Sequence, residues 1–261
     1  MMLVTGASGF VGQKIMETYK DAVACPSLKG KSADEIKRIV VESGADTIIH
    51  TAAISDIGAC ESDASASYMA NVQIPLFLAA ADKNVKLVCF SSDQVYSGSD
   101  FEGPYTEDMA KPNNVYACHK LEMEQRVLDA NPNAVMLRAE WMYDYYLKKP
   151  NYFMNIINAK DSIGFSPLQF RGVTYVKEVA ENIEKAISLP GGAYNFGSET
   201  TKSIYEITRE FLQALNKDIA LIETPARHNL WVNCNKAKAF GITFSTAEDG
   251  LIKCAKDYNF I

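Results

Sequence analysis

At 261 residues the chain has room for one large α/β domain, or for a nucleotide-binding domain with a smaller annex, and for a substantial buried core. Its composition, 48% hydrophobic and 22% charged, excludes a disordered chain, and no apolar run reaches the ~20 residues of a membrane-spanning helix. A net charge of −6 without any lysine/arginine block leaves no phosphate-neutralising surface for nucleic acid.

The first element, "MMLVTG", is a short apolar run ending in Thr-Gly, and "ASGFVGQKIMETYK" follows with Val11, Ile15 and Met16 at helical spacing. That order reads strand, glycine turn, helix. "AVAC" is a second short strand, and "SADEIKRIVVESG" is a helix with Ser32 and Glu35 in capping-box spacing and Gly44 at its end. "DTIIHTAA" is a third strand. "SASYMANVQIPLFLAAADKN" predicts one long helix kinked at Pro75, and "VKLVCFSS" a fourth strand ending in Ser91 and Ser92. After the loop "DQVYSGSDFEGPYTEDMAKPNN" come the helix "VYACHKLEMEQRVLDAN" and the fifth strand "NAVMLRAEW".

Strands alternating with helices in this way need crossover connections, so the expected fold is α/β, a doubly wound parallel sheet of Rossmann type. Beyond Trp141 the pattern becomes aromatic and irregular, with helices again in "VKEVAENIEKAISLPGG" and "SIYEITREFLQAL". The expected division is a dinucleotide-binding domain over 1–140, rejoined by 173–197, and an interleaved C-terminal substrate-binding region over 141–172 and 198–261.

"TGASGFVG" spaces Gly6, Gly9 and Gly12 three apart at the first strand-helix junction. Such a turn lets the backbone approach a pyrophosphate at a helix N-terminus; a purely structural turn is the plainer alternative. An acid at the end of the second strand would select NAD through the ribose hydroxyl. Here that region reads "CPSLKGKS", and Lys29 and Lys31 could meet a 2′-phosphate or be solvated, so the cofactor is NADP or NAD, with a lean to NADP.

In "VYACHK", Tyr116 and Lys120 stand one helical turn apart, downstream of Ser91 and Ser92 at the ligand-binding edge of the sheet. An ammonium beside a phenol is expected to lower the phenol's pKa and make it a proton carrier. Tyr145 and Lys149 repeat the spacing but lack a serine-ended strand before them. Six scattered cysteines without a Cys-x-x-Cys pair indicate a reducing compartment, and with no leader segment the expected location is the cytoplasm. His50, His119 and His228 are isolated, so no metal is expected.

"TGASGFVG", "HTAA", Asn71, "SSDQVY" and "YACHK", in this order, resemble the extended short-chain dehydrogenase/reductases. "LRAEWMY", "RGVTYVKEVA" and "NCNKAKAFGI" are similar to elements of the dTDP-4-dehydrorhamnose reductase branch, so the resemblance spans nearly the whole chain. It implies catalysis by Ser92, Tyr116 and Lys120. Ser92 would polarise a carbonyl, Tyr116 deliver a proton, and Lys120 hold the nicotinamide ribose and tune Tyr116. Gly6, Ser8, Gly9, Phe10, Gly12, Ala52 and Ala53, with Tyr116 and Lys120, would bind the cofactor. Trp141 and Arg171, with Ser92, would meet a nucleotide sugar, although a core tryptophan and a surface ion pair fit the first two as well. Asn71 would either complete a water relay or be satisfied within its helix.

By this resemblance the chain is a reductase of a nucleotide-linked 4-keto-6-deoxysugar, with a homodimer as the assembly considered. Where sugar dehydratases carry Thr-Asp-Glu, this chain has Ser92-Asp93-Gln94, and a glutamine cannot take the proton that elimination releases. The branch also resembles the regulatory subunit of methionine adenosyltransferase, which leaves a non-catalytic binding subunit as the rival reading. An epimerase is a third.

Overall fold

Leu87 and Cys89 turn to one side of a central strand and Val88 and Phe90 to the other, and all four are buried. A strand apolar on both faces needs cover on both. The computed structural model, which describes residues 1–99, 102–146 and 150–261, supplies it. Six parallel strands, β1 (Met2–Thr5), β2 (Val23–Ala24), β3 (Thr47–His50), β4 (Lys86–Ser92), β5 (Val135–Ala139) and β6 (Gly192–Phe196), form one sheet in the order β6-β5-β4-β3-β1-β2. On one face lie α1 (Phe10–Thr18) and the helices Val176–Glu181 and Ile183–Ile187. On the other lie α2 (Ala33–Ser43), the helix Ile74–Ala81 and α3 (Val115–Ala130). The fold is doubly wound α/β.

The order reverses between β1 and β3, whose carboxyl ends meet at the pair Thr5 and His50. Open α/β sheets hold ligands at such a switch point. At the edge, β2 is reduced to two exposed residues, because Pro26 removes the next donor needed to extend the ladder.

Ser32 and Glu35 cap α2 reciprocally and Gly44 closes it at φ 63°, as their spacing predicts. The expected long helix around Pro75 differs. Helices Ala64–Tyr68 and Ile74–Ala81 are joined by a π turn over Met69–Gln73, in which the Ile74 N–H reaches the Met69 carbonyl. A proline gives no i→i−4 bond, and widening the preceding turn absorbs the mismatch. The predicted loop after β4 likewise begins with a buried 3₁₀ turn, Asp93–Tyr96, capped by the Ser92 hydroxyl.

Beyond the carboxyl ends of the strands, Tyr143, Phe153, Tyr175, Ile204, Phe211 and Leu251 make a separate core. It is framed by short parallel pairs, including Trp141–Tyr143 with Val173–Tyr175 and Gln169–Arg171 with His228–Leu230. The chain then returns: Ala237 and Ile242 pack on the sheet face of α1, and Val232 and Cys234 pack with Val95 and Tyr96. Among the described residues no helix is long and apolar enough to cross a membrane.

Candidate active site

Gly6 adopts φ +65°, and a Cβ there would lie 2.8 Å from the Ala52 nitrogen. At Gly12 a Cβ would fall 2.2 Å from the Gly6 carbonyl oxygen. Glycine at both positions thus lets α1 start directly over the bend and the bend press against the segment after β3. The N-cap, Gly9, offers no side chain to the first turn of α1, so the N–H groups of that turn are available to a ligand. Uncapped donors, the positive end of the helix dipole and a glycine-lined bend fit a diphosphate.

A cleft of about 1000 Å³ runs from this bend along the ends of the strands to the second lobe. Gly6, Ser8, Gly9 and Phe10 line one end, with Ala52 and Ala53 beside them. Ser92, Tyr116 and Lys120 line the middle. Trp141 and Arg171 line the far wall. Gly12 shapes the bend from behind. Lys29 and Lys31 are not among the lining residues, and the edge loop that carries them brings no carboxylate to the cleft.

Alternation along β4 separates its two serines. Ser91 turns inward and donates to Glu124 at 2.5 Å, in a buried cluster with Arg138, whereas Ser92 faces the cleft. Ser92 also accepts from the Gln94 N–H at 3.2 Å, which fixes its hydroxyl at the strand end. Tyr116 begins α3, whose N-cap Asn114 accepts from the Ala117 N–H. One turn later, Lys120 donates to the Phe90 carbonyl at 2.8 Å, with its Nζ 5.8 Å from the centre of the Tyr116 ring.

The electrostatics correct one expectation. Burial pushes the Tyr116 phenol well above its ordinary range, Asp93 adds to the rise, and a hydrogen bond with Ser92 opposes it. Lys120 does not reverse this: burial pulls its own ammonium down to about 8, and one of its three protons is directed at Phe90. Tyr116 is therefore held as a neutral acid.

At the far wall Arg171 binds Asp93 at 2.5 Å and stacks over Trp141 at 5.3 Å. Both side chains line the cleft; Trp141 also packs on the second core against Tyr152, and the Arg171–Asp93 pair is largely buried rather than at the surface. Asn71 is buried in the π turn, where its side chain accepts from the Ile54 N–H at 3.1 Å and donates to the Ile54 carbonyl at 2.9 Å. It therefore pins the segment after β3. Tyr145 packs on Phe260 at 4.9 Å between ring centres, and Lys149 lies outside the described residues.

Sequence reasoning missed Glu140, a 4% exposed carboxyl that also lines the cleft. Among the described residues no group of three or more His, Cys, Asp or Glu side chains is placed to hold a metal.

Comparison with known proteins adds four findings. The family model described as RmlD substrate binding domain matches residues 1–238. Methionine adenosyltransferase 2 subunit beta of Xenopus tropicalis is 28% identical over 92% of this chain and 82% of its own length. A dTDP-4-dehydrorhamnose reductase of Aggregatibacter actinomycetemcomitans is 26% identical over 78% of this chain and 76% of its own. Among solved structures, the fold is similar to a Bacillus anthracis dTDP-4-dehydrorhamnose reductase in complex with NADP, with TM-score 0.86 at 22% identity, covering 98% of this chain and 97% of that one.

Proposed function

The chain belongs to the RmlD substrate binding domain family, and from that premise we propose that it is an NAD(P)H-dependent reductase of a nucleotide-linked 4-keto-6-deoxysugar. The observation that carries this reading is the meeting of Ser92, Tyr116 and Lys120 in one cleft with the glycine bend. A reduced nicotinamide dinucleotide, its diphosphate at that bend, would supply hydride to the ketone carbon. Ser92 donates to the carbonyl oxygen as negative charge develops there. Tyr116 then protonates that oxygen, a downhill transfer because an alkoxide is more basic than even a raised phenol. The phenolate left behind is stabilised by the Lys120 ammonium, which has two further N–H donors beside the one given to Phe90.

NADP is the favoured cofactor, since the end of β2 offers no carboxylate to repel a 2′-phosphate and the Bacillus anthracis relative holds NADP. In this reading residues 1–140 and 173–197 bind the dinucleotide, 141–172 and 198–261 bind the sugar nucleotide, and the protein is a cytoplasmic homodimer.

A second reading, a non-catalytic binding subunit, is favoured by the alignment with the methionine adenosyltransferase subunit over 92% of this chain. One experiment separates the two. Loss of NADPH absorbance with dTDP-4-keto-6-deoxysugars supports the reductase; no turnover across that panel, with a stoichiometric enzyme partner recovered on purification, supports the subunit.

A further inference from the structure

Glu140 leaves β5 immediately before Trp141, and its carboxyl reaches across to the strand pair of the second lobe. One oxygen accepts from the Gly172 N–H at 3.1 Å and the other from the Thr174 hydroxyl at 3.2 Å. The slot around it is made of glycine: a Cβ at Gly172 or Gly197 would sit 2.3 or 2.2 Å from its oxygens. Three chain crossings between the lobes, after β5, before Val173 and after β6, therefore converge on one side chain.

The two residues that wall the substrate end of the cleft are chain neighbours of this contact. Trp141 follows Glu140, and Arg171 precedes Gly172. Among the described residues the Nε of Arg171 is buried without a partner. We propose that Glu140 is a positioning residue that sets substrate specificity by fixing the Trp141–Arg171 wall opposite Ser92 and Tyr116. This deepens the reductase reading and rests on it for the identity of the ligand.

Reach rather than charge performs this task. Burial and the neighbouring Asp93 push the Glu140 carboxyl up to about 8, against the opposing pull of Arg171, Thr174 and Gly172, so near pH 7 it is mostly neutral. The charged or titratable groups that act on it are Asp93 and Arg171, with Cys234 behind them. A glutamine preserves its length and its acceptor for Gly172; an aspartate keeps the acid but falls short by one methylene.

The test compares Glu140→Gln with Glu140→Asp in a Trp231→Phe background, where Trp141 is the only tryptophan left of the two in the chain. Acrylamide quenching of Trp141 is read without substrate, and KM and kcat are read with a keto-sugar nucleotide and NADPH. The expected result at pH 7 is that the glutamine variant matches its parent. The aspartate variant should show quenching raised at least about 2-fold and sugar KM raised about 10-fold, with the KM for NADPH unchanged, the tenfold being about 1.4 kcal/mol. Quenching in the aspartate variant equal to its parent's, or a glutamine variant as perturbed as the aspartate, would overturn the proposal. If the parent turns over no keto-sugar, the reductase reading fails while the quenching comparison still decides the role of Glu140.

Discussion

The Lys120 ammonium donates to the Phe90 carbonyl at 2.8 Å, two residues before Ser92 on the same strand. A buried cation held by a main-chain oxygen and, among the described residues, lacking a carboxylate contact is easily deprotonated, and burial brings Lys120 down to about 8. Its catalytic form is the cation, present below that value and lost above it. Turnover should therefore fall as pH rises through about 8. Lys120→Met should lower kcat about 100-fold or more and abolish that alkaline limb, while thermal unfolding shows a stability equal to or above the parent's, because a desolvated charge has been removed.

His50 is buried and bonded through Nδ1 to the Thr5 hydroxyl at 2.7 Å. Burial, reinforced by the nearby Lys120, lowers its pKa from 6.5 to about 3. The unfolded chain takes up a proton below 6.5 that the folded chain refuses until about 3, so stability contributed by neutral His50 is lost as pH falls through that window. Urea unfolding of the parent should weaken by several kcal/mol between pH 6.5 and 4. A His50→Gln variant should weaken less over the same range; parallel curves would count against this origin.

Much of the site is legible in the sequence because it is local. Gly6 to Gly12 fall within one turn, Tyr116 and Lys120 within one turn of helix, and Ser92 at a strand end marked by the loop that follows. Glu140 is not legible, since its partners Gly172 and Thr174 lie 32 and 34 residues away and nothing in "LRAEWMY" marks the acid as buried. The sign of the Tyr116 shift fails for the same reason. Lys120 is visible as a neighbour in the chain, whereas the desolvation that outweighs it exists only once β4, α3 and the segment around Cys60 close together. The π turn before Pro75 also escapes a reading based on spacing, because Pro75 signals a break without saying which carbonyl will take the next N–H.

Gly12→Ala would drive a methyl into the Gly6 carbonyl, 2.2 Å from the ideal Cβ position. Relief requires α1 to move off the bend, at about 1–3 kcal/mol. Calorimetric titration should give an NADPH Kd raised about 10-fold or more, with a lower Tm. Unchanged affinity would remove the bend from the cofactor site.

Asn71→Ala removes both bonds to Ile54 at once. Leaving a buried donor or acceptor unpaired costs about 1–3 kcal/mol, and the segment released includes Ala52 and Ala53. The variant should lose stability in that range and bind NADPH more weakly. A loss of kcat alone, with stability and NADPH affinity intact, would instead indicate a proton-relay role for Asn71.

Proton delivery by Tyr116 is tested most directly by single-turnover reduction of an accepted keto-sugar nucleotide by Tyr116→Phe. The rate should fall about 10²–10⁴-fold with the affinities for NADPH and sugar nucleotide nearly unchanged. A phenylalanine variant that reduces the ketone as fast as its parent would contradict it.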